Sequence, residues 1–163
     1  MKPLRFYTPG KAGSGEPTAR SVVTLLTSRG WQRALDWTDI KVQKPYLDHM
    51  GANRPAAEAM KAAAAASDLV VLVPDEDVFG ALIETGVAIA FGAQVAVLGA
   101  SRQSIFWCLP GVHLVEDLDG MNSLVDEIEA QRSPAPPRRS PGRRGHRGNL
   151  QVYRGPEAAE ASR

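Results

Sequence analysis

The chain has 163 residues, with 19 Lys and Arg against 18 Asp and Glu, and a formal net charge of +1. That sum hides a segregation: residues 1–131 carry 11 basic and 16 acidic side chains, net −5, whereas residues 132–163 carry eight Arg against Glu157 and Glu160, net +6. No stretch approaches the roughly 18 apolar residues of a membrane helix, Met1–Tyr7 has no signal-peptide apolar region, and the single Cys108 excludes an internal disulfide framework or a multi-cysteine zinc site.

Leu4-Arg5-Phe6-Tyr7 reads as a short strand that runs into the Gly-rich loop Thr8–Pro17. Thr18–Arg29 sets Val22, Val23, Leu25 and Leu26 on one helical stripe, with Gly30 as a C-terminal stop. A second strand is expected over Trp31–Trp37, then a loop over Pro45–Pro55. Ala56–Ser67 is an alanine-dominated helix, strong by propensity and small enough to pack closely on a sheet. Leu69-Val-Val-Leu-Val73 is an apolar run without alternation, the pattern of a strand buried on both faces. After the acidic turn Asp75–Gly80 comes a helix over Ala81–Phe91, closed by Gly92, and a second buried strand over Gln94–Gly99. Ile105–Cys108 with Val112–Val115 supplies one more short strand, and Met121–Ala130 a final amphipathic helix.

This alternation predicts a doubly wound α/β domain, flavodoxin- or Rossmann-like. The expectation is a mostly parallel sheet of about five strands with helices on both faces. The domain spans residues 1–131. The segment 132–163 is rich in Arg, Pro and Gly, too polar to repay the entropy of folding, and is expected to be a disordered tail. Its arginines fit weak, non-specific contact with nucleic-acid phosphates, or simply a solubilising extension. His49, His113 and His146 have no metal-ligand spacing, so neither a metal nor a cofactor is expected. One cysteine and no targeting segment imply a cytoplasmic setting.

Ligands of such sheets bind outside the carboxyl ends of the strands, where strand order reverses. The loops there are Thr8–Pro17, Asp36–Asp39, Pro74–Gly80 and Gly99–Ser104. Glu84 is the one acid in an otherwise apolar helix, and is expected in its first turn, facing the crevice and stabilised by unpaired N–H groups. Gly10-Lys11-Ala-Gly-Ser14-Gly15 offers backbone N–H groups, a hydroxyl and an ammonium, a cradle for a 5′-phosphate or a ribose. It matches neither the phosphate loop of nucleotide hydrolases nor the dinucleotide fingerprint. In Asp36-Trp37-Thr38-Asp39 the indole could stack a base, although a Trp at a strand end is more often core.

Taken in order, these pieces resemble the nucleoside 2-deoxyribosyltransferase family. Gly80-x-x-x-Glu84-x-Gly86 is followed by a small-apolar helix ending at Gly92 and a Val-rich strand. Tyr7-Thr-Pro-Gly10-Lys11 is similar to the family's opening loop, Asp36-Trp37-Thr38 with Pro45-Tyr46-Leu47 to a branch of it, and Ser67-Asp68-Leu-Val-Val-Leu to its third strand. The resemblance runs from Leu4 to Ile128.

It implies N-glycosidic chemistry on a nucleoside or nucleoside 5′-monophosphate. Glu84 would be the nucleophile on the anomeric carbon, and Asp77, or Asp75 or Glu76 of the same loop, the acid that protonates the leaving base. Tyr7, Gly10, Lys11, Ser14, Asp36, Trp37 and Gly80 would bind substrate. A homo-oligomer, a dimer at its simplest, is also implied. The family often carries an Asp eight positions before the strand-opening Asp; that position here is Met60, with Glu58 two residues away. Met60 keeps a second expectation open: a nucleotide-binding or sensing module of the same fold, without turnover.

Overall fold

The apolar runs without alternation become the middle of a sheet. In the computed structural model, which describes residues 2–10, 17–74, 79–99 and 104–132, five strands pair in the order β2-β1-β3-β4-β5 and every pair is parallel. They are β1 (Arg5–Tyr7), β2 (Gln32–Arg33), β3 (Leu69–Leu72), β4 (Gln94–Leu98) and β5 (Val112–Val115). Four helices connect or follow them: α1 (Pro17–Ser28), α2 (Met50–Ala65), α3 (Phe79–Ala90) and α4 (Leu118–Arg132). This is the expected doubly wound α/β fold. The described residues belong to the unit Met1–Arg132; residues 133–163, and with them the expected disordered tail, lie outside the description.

Strand periodicity divides the core into two layers. Phe6, Leu69, Val71, Ala96 and Leu98 face one side, where Val22 and Leu26 of α1 and Met121 and Val125 of α4 cover them. Tyr7, Val70, Leu72, Val95 and Val97 face the other, against Ala63 and Ala64 of α2 and Ala81 and Ala88 of α3. Small residues line both helices of this second layer, so α2 and α3 lie close to the sheet and to each other. Every residue of β3 is buried, which accounts for its unbroken apolar sequence.

The ends of elements are set by local chemistry. Pro17 opens α1 at a position whose N–H would lack a helical partner anyway. Gly92 closes α3 at φ 80°, with Gly92 N–H donating to the Ile89 carbonyl and Ala93 N–H to that of Ala88. Asp117 caps α4 by accepting from Gly120 N–H at 2.9 Å. At the opposite edge, Asp68 Oδ2 accepts from the backbone N–H of Arg5 at 2.8 Å and ties the start of β3 to β1. On the α1–α4 face, Arg29 pairs with Asp126 and Glu129, and the Trp31 indole donates to Glu129 at 2.7 Å.

Four local expectations change. The strand over Trp31–Trp37 contracts to Gln32–Arg33, and Trp37–Asp39 is a 3-10 turn. The ion pair between Arg33 and Asp36 turns the chain there, and Trp37 leaves the sheet edge to pack beneath the loop after β1. The loop over Pro45–Pro55 contains a 3-10 turn, Leu47–His49, and the first turns of α2; Pro55 removes one backbone donor, which the alanine-rich remainder tolerates. Ile105–Cys108 is a 3-10 turn, so β5 is Val112–Val115 alone. Finally, α3 starts at Phe79, so Glu84 is its sixth residue and stands in the second turn, beyond the free N–H groups of the first.

Candidate active site

The strand order reverses between β1 and β3: β1 has β2 on one side and β3 on the other, reached through connections in opposite directions. Tyr7 is the last residue of β1, and α3, which follows β3, carries Glu84. The two meet: the Tyr7 hydroxyl donates to Glu84 Oε2 at 3.0 Å. Two residues 77 positions apart in sequence are therefore joined at the carboxyl edge of the sheet, beside the switch point.

The electrostatics follow from that meeting. Tyr7 is fully buried within the α2–α3 layer. Burial, then the adjacent Glu84 charge and the hydrogen bond to it, hold the phenol protonated far above the ordinary tyrosine range; the Arg33 charge opposes them. Burial also pushes the Glu84 carboxyl above the ordinary carboxylate range, and the hydrogen bond from Tyr7 partly offsets this. The pair is thus a half-buried carboxylate with raised basicity, oriented by a phenol that cannot ionise in its place. Its neighbour Thr85 is buried but satisfied within the helix, donating to the Ala81 carbonyl at 2.7 Å. This leaves Glu84 as the carboxyl of α3, hydrogen-bonded to Tyr7.

The backbone leading from Tyr7 is held from below. Trp37 is 6 % exposed, and its Nε1–H donates to the Thr8 carbonyl at 2.7 Å. Its ring lies so close under Gly10 that a Cβ there would stand 2.8 Å from Trp37 Cζ2. Glycine at position 10 is therefore a steric requirement, and the Tyr7–Gly10 segment rests on the indole. In this arrangement Trp37 supports the loop, and its ring has little face left for a base. Asp36, half-buried, is engaged with Arg33.

Of the residues expected to bind or react, Tyr7 and Glu84 converge directly, and Gly10, Trp37 and Asp36 flank Tyr7 through the loop and the Arg33–Asp36 pair. Gly80 lies in the first turn of α3, one turn before Glu84, and is exposed. Lys11, Ser14 and Asp77, with Asp75 and Glu76, fall outside the described residues. Met60 is half-buried and packs against the layer that contains Tyr7, whereas Glu58 is exposed on α2. The acid two residues away is therefore not redirected towards Tyr7.

Sequence reasoning missed Arg33. Nothing in its local pattern marks it, and only its place as the last residue of β2, three before Asp36, hints at the carboxyl edge. A separate open cleft of about 660 Å³ is lined by Pro17, Ser21, Pro74, Gly99, Glu116 and Asp119 among others, but by neither Tyr7 nor Glu84. Among the described residues no group of three or more His, Cys, Asp or Glu could hold a metal, and no helix is long and apolar enough to cross a membrane.

No family model matches the chain, and no curated protein matches it by sequence. Among solved structures, the fold is similar to that of the Clostridium botulinum CMP N-glycosidase BcmB, at 18 % identity and a TM-score of 0.50. The match covers 76 % of this chain and 98 % of that one. At that identity the likeness is one of fold, and it agrees with the fold that the sequence resemblance implies.

Proposed function

We propose that this protein cleaves the N-glycosidic bond of a small nucleoside or nucleoside 5′-monophosphate, with Glu84 as nucleophile. The observation that carries the reading is the Tyr7–Glu84 hydrogen bond at 3.0 Å, a raised-pKa carboxylate held at the carboxyl edge of a doubly wound sheet. The likeness to the CMP N-glycosidase structure supports it at the level of fold.

In the proposed reaction an oxygen of Glu84 bonds to the anomeric carbon as the bond to the base nitrogen breaks. The base leaves with that electron pair and takes a proton from an acid, for which Asp77 is the candidate. Water, or a second base, then attacks the anomeric carbon and gives a proton back to Asp77 as the glycosyl ester breaks to return the carboxylate. The phenol of Tyr7 orients the attacking carboxylate and, being held protonated, does not compete as a nucleophile. Lys11 and Ser14 remain candidates for the sugar or phosphate.

The test is base release from a panel of nucleosides and their 5′-monophosphates, CMP included, followed by chromatography. Glu84→Gln keeps shape and the Tyr7 hydrogen bond, and should lose base release by at least a thousandfold; undiminished turnover would refute the role.

Met60 favours a second reading, binding without turnover, because an apolar side chain packs where the resembling family often carries an acid. Tight binding with the ligand recovered intact after long incubation would decide for it. The homo-oligomer belongs to the proposal too. Phe79 and Ile83, one turn apart on α3, are 81 % and 65 % exposed, and a second copy would cover them beside Glu84. Sedimentation of the wild type and of Ile83→Asp tests it: a monomeric wild type removes the idea.

A further inference from the structure

The segment between the Trp37–Asp39 turn and α2 turns apolar side chains to solvent. Tyr46 is 54 % exposed, Leu47 80 % and Met50 59 %. The apolar side chains that the core takes from this part of the chain are Trp37, Ile40 and Met60, which pack in the α2–α3 layer. The three exposed ones add nothing to that core, and leaving them in water forgoes the free energy of burying them. Apolar residues exposed singly are ordinary, whereas three within five positions form one tip.

The tip is also held in shape. Near the start of α2, the Asn53 side chain accepts from Gln43 N–H at 2.9 Å. It donates to the carbonyls of Gln43 at 2.9 Å and of Tyr46 at 3.3 Å. One residue of α2 thus fixes the backbone that presents Tyr46 and Leu47, so little loop freedom remains to be lost when a partner covers them. Lys44 Nζ stands 5.5 Å from the centre of the Tyr46 ring. Lys41, Lys44 and Arg54 are exposed, and among the described residues none of the three forms an ion pair. Residues 40–54 hold these three cations against Asp48, net +2. The rest of residues 1–131, whose total is −5, therefore carries −7. Basic charge gathers with the apolar tip on a domain that is otherwise acidic.

We infer that this tip docks the protein on an anionic lipid surface. Leu47, Met50 and the Tyr46 ring enter the boundary between headgroups and acyl chains, and Lys41, Lys44 and Arg54 meet the lipid phosphates. A bilayer offers both chemistries side by side, and neither alone holds a protein firmly, so the two act together. Tyrosine suits that boundary, with an apolar ring and a polar end. A nucleic-acid strand would use the cations and the Tyr46 face, but it offers nothing to Leu47 and Met50. The docking surface is independent of the chemistry assigned to Glu84.

The test is sedimentation of the full chain with vesicles of phosphatidylcholine, alone or with one third phosphatidylglycerol. Every variant keeps residues 132–163, because their net +6 is attracted to any anionic surface and must be the same throughout. The wild type should partition onto the anionic vesicles. Lys41→Gln and Lys44→Gln should each weaken the partition roughly fivefold, and Asp48→Asn should strengthen it by about that factor. Leu47→Asn and Met50→Gln change no charge, and each should weaken it roughly five- to tenfold. Their loss should persist in high salt, where the effect of the lysines fades.

Circular dichroism of these surface variants should match the wild type. Equal partition of the wild type and the Leu47 and Met50 variants would assign the attraction to charge alone and overturn the inference. A wild type that stays in solution would overturn it as well. A single-stranded oligonucleotide supplies the last arm. If Lys41→Gln and Lys44→Gln weaken its retention and leave vesicle partition unchanged, the surface serves nucleic acid and the lipid reading falls.

Discussion

Tyr7→Phe removes one oxygen and leaves the ring where it is, because the residue is fully buried in the α2–α3 layer. What is lost is the 3.0 Å hydrogen bond to Glu84 Oε2. A hydrogen bond to a charged group is worth about 1.5–3 kcal/mol, which at roughly 1.4 kcal/mol per factor of ten corresponds to a 10- to 150-fold fall in kcat/KM if the bond is needed to aim the carboxylate. The same bond lowers the Glu84 pKa against the effect of burial, so its removal moves that pKa further up. The ionised nucleophile then disappears at a higher pH, and the acid limb of the rate profile shifts to higher pH in the variant. The assay is kcat/KM against pH for the best substrate of the nucleotide panel. Carbon-13 NMR titration of the Glu84 carboxyl gives the same answer without turnover. An unchanged acid limb together with an unchanged carboxyl titration would refute the reasoning, because the phenol would then not be bonded to Glu84 in solution.

Three further outcomes follow from the same geometry. Burial raises the Glu84 pKa in the fold, so the folded chain holds that proton more tightly than the unfolded chain; the carboxylate therefore costs stability above the folded pKa, and the cost vanishes below the unfolded value of about 4.3. Glu84→Gln should accordingly raise Tm at neutral pH, with the gain fading towards pH 4, as thermal scans across pH will check. Gly10→Ala drives a methyl group into Trp37 Cζ2, and the indole cannot retreat while it is buried and bonded to Thr8; a loss of about 1–3 kcal/mol in urea unfolding is expected, with weakened nucleotide binding. A chain ending at Gln131 should lose whatever salt-sensitive retention on nucleic acid the full chain has, because the arginine-rich segment supplies a net +6; retention that survives truncation would assign it to the domain.

The sheet was legible because its signals are strong and local. Leu69–Leu72 and Val95–Leu98 are apolar without alternation because both faces are covered, and Gly92 ends α3 through a backbone conformation that glycine adopts freely. Glu84 stood out as one carboxyl in an apolar helix, and Tyr7 as the end of the first strand. Their contact was not legible from composition, since strand order and helix register bring together residues 77 apart. The boundaries that shifted were decided by tertiary contacts: Arg33 with Asp36 shortens β2, and Trp37 with Thr8 converts an apparent strand end into a turn. Arg33 gave no sequence signal for a different reason. One arginine near the end of a short polar strand is ordinary, and its interest arises only when the fold brings its charge within reach of the Tyr7 phenol and leaves Nε without an acceptor.

The two buried indoles give the protein a pair of built-in reporters. Trp31 lies in the α1–α4 layer and donates to Glu129, whereas Trp37 lies in the α2–α3 layer and donates to the Thr8 carbonyl. Their emission therefore senses separate events on opposite sides of one sheet: the undocking of α4 for Trp31, the loosening of the first loop for Trp37. With Trp107→Phe as the background, single-tryptophan versions would distinguish an all-or-none collapse of the domain from a local opening at the carboxyl edge of the sheet. Ligand binding that tightens the loop should blue-shift Trp37 and leave Trp31 silent, so the position of a spectrum would reveal which side of the sheet a ligand has reached.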